Sequence, residues 1–438
     1  MALTRFERFL ASILRGAVRL LFAVFQLLAQ RREADRSVRR LPPITNPLLR
    51  VPAMRLARMI RRREVTSVEV VQTYIDRIQE INPLINAMVK DRFSLALQEA
   101  AQVDKLIEEE TGGEDVLEDR LPLLGVPFTV KEAFSLQGVV SNVGQFPPAS
   151  GQQPGFLCTG PMCRYAQDLL PMLRVMGGAN ADRLSLSSEV DLKRLRFFSV
   201  PHDGGSPLVS PVDQQLVLAQ RRVVERLEAD LGVKVQQLKI PQLKYSFQIW
   251  SAMMGAPGKD GKQPTSFAEL MSDHGKKVWP LWEMAKWTVG LSKHTVAAIG
   301  LVLVEMFQRS QPTQFILQQK ESLQKDLEEL LGTDGVLLYP SHPHLAPKHH
   351  HPLFTPFNFS YTGIFNILGL PVTQCPLGLS AEGLPLGLQL VVGKQQDRLS
   401  LATAVFLEKT FGGWRDPGSI ATATTHLDTW RGASTTAS

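Results

Sequence analysis

Leu121 to Phe134 reads Leu-Pro-Leu-Leu-Gly-Val-Pro-Phe-Thr-Val-Lys-Glu-Ala-Phe, an apolar run that reaches a single lysine, Lys131. A lysine at the tip of an apolar run suits a buried strand that carries an amine into a site. Burial disfavours the ammonium form, and the neutral amine is then a usable general base. A base needs a nucleophile and an oxyanion cradle. Ser135 and Ser141 follow closely, but no glycine-rich nest of backbone amides accompanies them. Instead Phe134-Ser-Leu-Gln-Gly138 runs straight into Val139-Val-Ser-Asn-Val-Gly-Gln-Phe146.

Other residues invite chemistry elsewhere. Gly204-Gly205-Ser206 imitates a nucleophile turn, yet its flanks, His202-Asp203 and Pro207, do not match one, and it reads as a loop. His342, His344, His349, His350 and His351 fall within ten positions. Prolines interrupt them and no carboxylate accompanies them, which favours a solvated loop over a metal site. No Gly-x-Ser-x-Gly elbow occurs. The three cysteines, Cys158, Cys163 and Cys375, form no Cys-x-x-Cys pair. A zinc site or disulfide framework is therefore not expected, and no cofactor is implied.

The elements that must position these residues are those of a large α/β protein. Ala53 to Arg63 forms a short basic helix. Thr66-Ser-Val-Glu69 is a capping box for a helix that stops before Pro83. Asn82 to Val89 reads as a turn and strand, Phe93 to Ile107 as a second helix, and Glu108 to Arg120 as an acidic loop. Gly160-Pro-Met-Cys-Arg-Tyr-Ala-Gln-Asp-Leu169 is a turn into a helix, with Arg164 and Asp168 spaced for a structural ion pair or a cap. Strands are expected at Leu195–Val200, Val233–Ile240 and around Leu337. Ser210-Pro211-Val-Asp213 opens a helix that Gly232 closes. Paired segments Trp279–Trp287 and Val296–Val304 read either as a buried helix pair or, with Lys276, Lys277, Lys286 and Lys293 nearby, as a membrane-facing surface.

Residues 5–30 are helix-forming and apolar, with Arg8, Arg15, Arg19, Gln26 and Gln30 on one narrow stripe. That pattern favours an interfacial anchor over a spanning helix, although a single pass stays open. Arg31, Arg32, Arg36, Arg39 and Arg40 follow, suited to an anionic membrane surface. The net charge of +6 is otherwise diffuse, and no basic–aromatic interleaving points to nucleic acid.

The strings Gly125-Val-Pro-Phe-Thr-Val-Lys131, Gly160 to Leu169, Leu337 to Pro347, Phe357 to Asn366, Gly369 to Gly378 and Gly383 to Gly393 resemble the amidase signature family across most of residues 50–414. The resemblance implies a mixed β-sheet flanked by helices. It implies acyl transfer in which Lys131 deprotonates a bridging serine that activates a nucleophilic serine. It also implies a membrane-associated branch acting on fatty-acid primary amides and N-acyl ethanolamines. Both serines and the glycine-rich loop that carries them are missing here after Gly138, so the sheet is expected to be incomplete and the chain inactive. The alternative is a non-catalytic membrane- or lipid-binding form that pairs with a full-length homologue.

The expected partition is a membrane-associating segment at 1–40 and a linker at 41–52. The amidase-like body follows in two parts, 53–138 and 139–414, before a disordered tail at 415–438. Expected partners are membrane lipids and a fatty-acid amide, with self-association open and no nucleic acid. The expected location is an intracellular membrane or lipid droplet.

Overall fold

The computed structural model describes residues 41–131, 149–272, 278–288, 290–295, 298–302, 305, 313–348 and 351–417. The expected membrane helix at 5–30, Ser135, Ser141, the Gly138–Val139 junction, Lys276, Lys277, His349, His350 and residues 418–438 lie outside them.

Five strands form one mixed sheet: β1 Arg196–Ser199, β2 Val235–Gln237, β3 Gly335–Tyr339, β4 Val372–Leu379 and β5 Pro385–Val392. Their spatial order is β2-β1-β3-β5-β4. β1 runs parallel to β2 and β3, while β5 is antiparallel to both β3 and β4. Strand β3 is buried at every residue, the reading that a continuous apolar run predicts for a strand covered on both faces.

The alternation of side chains divides the core. Phe197, Val336, Leu338 and Leu390 point to one face, where helix Gln214–Leu231 and helix Asp397–Phe411 cover them. Phe198, Leu337, Tyr339 and Val391 point to the other, against helices Ser246–Met254, Gln314–Leu331 and Ser360–Leu368. The first of these helices starts on Asp213, whose carboxylate accepts from Gln215 N at 2.8 Å. It ends on Gly232, whose φ of 70° suits the left-handed cap. Pro211 lies two residues before the cap rather than inside the first turn.

The amino-terminal part is helical: α1 Ala53–Arg61, α2 Ser67–Ile85, α3 Phe93–Glu109 and α4 Gly113–Arg120. Leu56, Ile60, Val65, Val70, Ile107 and Leu117 form its own small core. Thr66 caps α2 by accepting from Glu69 N at 3.0 Å. Three expectations change here. Helix α2 runs through Pro83 to Ile85, and Asn86, at φ 48°, ends it. Pro83 falls in the last turn, where it costs one helical hydrogen bond and no more. Residues 86–89 form no strand. The acidic stretch expected as a loop is α4 from Gly113, with Glu114 and Asp115 in the first turn, where acidic side chains favour a helix start.

Candidate functional site

Lys131 comes first because everything expected of the site hangs on it. Residues 126–131 form no helix and join no strand among the described residues. Phe128 is 77% exposed, Val130 39%, and Lys131 itself is exposed. Its amine makes no hydrogen bond or ion pair among the described residues. The run is therefore no buried strand: Val126 still packs on the core of Leu56, Ile60 and Val70, and from Phe128 to Lys131 the chain is exposed, with no described strand pairing with it.

Arg164 and Asp168 do not pair with each other. The Asp168 carboxylate is buried and accepts from Ala53 N at 2.8 Å and Met54 N at 3.1 Å, capping α1. The Arg164 guanidinium donates to Leu49 O and lies 4.5 Å from the Trp414 ring. Tyr165 Oη donates to Arg50 O at 2.6 Å, and Arg50 pairs with Asp416 at 2.9 Å. Asp416 also accepts from Ile44 N. This motif therefore fastens the helical amino-terminal part to the sheet-bearing part. Its contacts also reach Trp414 and Asp416.

Gly204-Gly205-Ser206 follows β1 as a tight loop, with φ of 87° and 89° at the two glycines. The Asp203 carboxylate accepts from Gly205 N at 3.0 Å, and His202 Nδ1 accepts from Gly204 N at 3.0 Å. Ser206 Oγ accepts from Leu208 N at 3.3 Å. Each side chain is turned to holding the loop, and His202 does not engage Ser206. The loop expected there is present.

The histidines draw together more than their spacing suggested. The rings of His342 and His344 lie 5.9 Å apart, and those of His344 and His351 5.5 Å. Among the described residues no three His, Cys, Asp or Glu side chains are set to hold a metal ion. Burial makes His344 harder to protonate than an ordinary histidine; repulsion from His342 and His351 adds to this, and attraction by Asp213 opposes it. Burial, helped by Asp168, pushes the Cys163 thiol up to about 11, far from a reactive thiolate.

Sequence reasoning missed a buried polar layer at the carboxyl ends of β1 and β3. Gln220 Nε2 donates to Ser199 Oγ, Val200 O and Leu338 O at 3.0–3.2 Å. Gln389 Nε2 donates to Pro340 O at 2.8 Å and Tyr361 O at 2.9 Å. Asp203 N donates to Tyr361 Oη at 3.3 Å, and burial raises the pKa of the stacked phenols Tyr339 and Tyr361. The signal was present: each glutamine interrupts an otherwise apolar face, Gln220 among Leu216, Val223 and Leu227, and Gln389 beside Val391. The glutamine amides so occupied fix the strand ends, while the Gln220 and Gln389 Oε1 atoms and the Tyr339 hydroxyl stay buried without a partner.

The tryptophan-bearing helix, Pro280–Thr288, is not a buried pair. Trp279 is 69% exposed and Trp282 62%, with Leu281 and Leu291 similarly open. Glu283 beneath them binds Lys286 and accepts from Ser292 Oγ at 2.8 Å. No described helix is long and apolar enough to cross a membrane.

Comparison with known proteins places this geometry. A family model described as Amidase matches residues 69–146 and 134–401, two pieces that overlap at 134–146. Fatty-acid amide hydrolase 2-A of Danio rerio is 62% identical over 528 aligned positions, covering 95% of this chain and 99% of that protein. Fatty-acid amide hydrolase 2 of Homo sapiens is 44% identical, covering 86% of this chain and 92% of its own length. The first alignment is longer than the 438-residue chain, so at least 90 of its positions face no residue here. Among solved structures, a crystal structure of an amidase shares the fold with a TM-score of 0.59 at 15% identity, covering 83% of this chain and all of that one. A fatty acid amide hydrolase structure does so at 0.53 and 15%, covering 85% of this chain and 87% of its own. The open mixed sheet flanked by helices, the Gly-Pro-x-x-Arg-x-x-x-Asp fastening and these matches agree: the chain belongs to the amidase family.

Proposed function

We propose that this chain descends from a hydrolase of fatty-acid amides and has lost the hydrolytic step. One observation carries the reading. Between Phe134 and Phe146 the chain holds no Gly-Ser-Ser-Gly-Gly loop, and the alignment with a relative 62% identical has at least 90 positions that face no residue here. In the family mechanism a lysine alone cannot form an acyl-enzyme. It needs the bridging serine to relay the proton, the nucleophilic serine to attack, and backbone amides to hold the oxyanion. Lys131 is the one member that this sequence retains, and its exposure supports the view that its setting is gone.

The test is a fluorophosphonate label on the purified chain, run beside hydrolysis of a fatty-acid primary amide. Neither labelling nor hydrolysis is expected. A label that Lys131→Ala removes would overturn the reading.

A second function is compatible with the first and rests on a separate feature. Trp279, Leu281, Trp282 and Leu291 stand open beside Lys286, the arrangement of an interfacial surface. With the apolar, arginine-striped residues 5–30, this supports attachment to an intracellular membrane. Co-sedimentation with vesicles containing anionic lipid is expected for the full chain. It should weaken for the double variant Trp279→Ser, Trp282→Ser and for a chain starting at Leu41. Equal sedimentation of all three would sink the membrane reading.

A further inference from the structure

The chain that leaves β3 turns at once into a loop carrying His342 and His344, with His351 at its far end, all three half-buried. The ring of His344 lies 5.9 Å from that of His342 and 5.5 Å from that of His351. Main-chain bonds hold this packing. His344 N donates to His342 Nδ1 at 3.1 Å. Asp213 N donates to Pro343 O at 2.7 Å, which ties the loop to the start of helix Gln214–Leu231. Pro343 is buried, and Leu345 packs on the core that this helix covers.

Protonation works against each part of this packing. The neutral His342 ring accepts the His344 amide at Nδ1, but a protonated ring has no lone pair there, so the amide loses its acceptor. Charged rings this close repel, and in a half-buried setting salt and water screen them poorly. The titratable and charged groups that act on His344 are His342 and His351 from its own loop and Asp213 from the helix start. Asp213 is the one anion among them, and its carboxylate already caps the helix by accepting from Gln215 N at 2.8 Å. It can balance one charged imidazole and not three. Burial and the two neighbouring rings outweigh it, so His344 is harder to protonate while the loop is packed.

We propose that His342, His344 and His351 form a proton-operated latch, which holds the loop 340–348 on the start of helix Gln214–Leu231 at neutral pH and releases it in acid. The input is the proton itself, in the range of about pH 5–6 where histidine clusters act as switches. A released loop opens its imidazoles to water, where they take up protons near the ordinary histidine value of about 6.5. The packed loop takes them up only at lower pH. Release therefore binds protons, and acid drives it. The output is local. The bond between Asp213 N and Pro343 O breaks and Leu345 leaves the core, while β3, held between β1 and β5, stays paired.

The test is amide hydrogen exchange of the full chain at about pH 7 and about pH 5.5, corrected for the pH dependence of free amides. Amides of 341–348 should lose protection about tenfold or more at the lower pH, while those of β3 keep theirs. The double variant His342→Gln, His344→Gln should show the same protection at both values. Asp213→Asn keeps a capping side chain but removes the anion, so it should enlarge the loss at the lower pH. Unchanged protection of 341–348 in the parent would overturn the proposal, as would a loss that survives in the double variant. Where the glutamines themselves loosen the loop at neutral pH, the Asp213→Asn arm decides, and a loss there no larger than the parent's overturns the latch. Neither arm reads hydrolysis, so activity in the chain alone would defeat the loss-of-function reading without touching this measurement.

Discussion

Val126–Val130 and Gly335–Tyr339 are five-residue runs of similar character, each apolar, each including β-branched and aromatic residues, each followed closely by a polar side chain. One is a strand buried at every residue between β1 and β5. The other has no regular structure, with its phenylalanine three-quarters exposed. Local preference is therefore not what separates them. Val126–Val130 pairs with no described strand, and strand preference is largely a measure of packing against neighbours. Lys131 inherits the consequence. A lysine becomes a base at the end of a buried strand, and this one ends an exposed run.

The most severe way to break the comparison is to give the first run its neighbours. Inserting the Danio rerio segment between Gly138 and Val139 should bury Phe128 and create hydrolysis of a fatty-acid amide about a thousandfold or more above background. Lys131→Ala in that restored chain should then remove about a hundredfold or more of the rate. If the insertion leaves Lys131→Ala without effect, the exposed run and the active strand are not the same element.

Within the chain as it stands, truncation should separate the two runs by stability. Leu337→Ala removes a side chain with no exposure from the middle of β3 and should cost about 2–5 kcal/mol in denaturant unfolding. Phe128→Ala should stay within about 0.5 kcal/mol. A cost at Phe128 equal to that at Leu337 would mean that residues 126–130 are packed in solution. Between these extremes stands Asp168→Ala, which uncaps α1 and should cost about 1–2 kcal/mol. Its mark would be faster proteolysis of residues 53–120 while β3 amides stay protected, since Asp168 joins the two parts rather than stabilising the sheet.

The sheet-bearing part was legible because its signals are local and redundant. Apolar runs pointed to β1, β2 and β3, and Asp213 and Gly232 bracketed the helix between β1 and β2. The amino-terminal part was less so. Glu108 to Arg120 looked like a loop by composition, yet acidic residues in a first turn also favour a helix, and Leu117 buried against Leu56 and Ile60 decides for it. Arg164 and Asp168 were read as an adjacent pair because spacing shows only near neighbours along one element. Their partners, Leu49, Ala53, Met54 and Trp414, lie more than a hundred residues away in sequence. The buried Gln220 and Gln389 were visible as polar residues on apolar faces, but their acceptors are carbonyls at strand ends that only the topology brings within reach.

The smallest expected effect compares the exposed run with the histidine loop, the other place where charge and burial compete. His344 is harder to protonate in the folded protein than its ordinary 6.5, because burial and the neighbouring His342 and His351 oppose a charge there more than Asp213 favours it. The unfolded chain then binds more protons than the folded one as pH falls below that value, so stability is level above it and declines through the window beneath. Denaturant midpoints at about pH 7 and about pH 5.5 should therefore differ less for His344→Gln than for the parent, and Phe128→Ala should leave the difference unchanged. If Phe128→Ala instead changes the pH dependence in that range, the exposed run meets a folded environment that its position does not provide, and the contrast between the two runs fails.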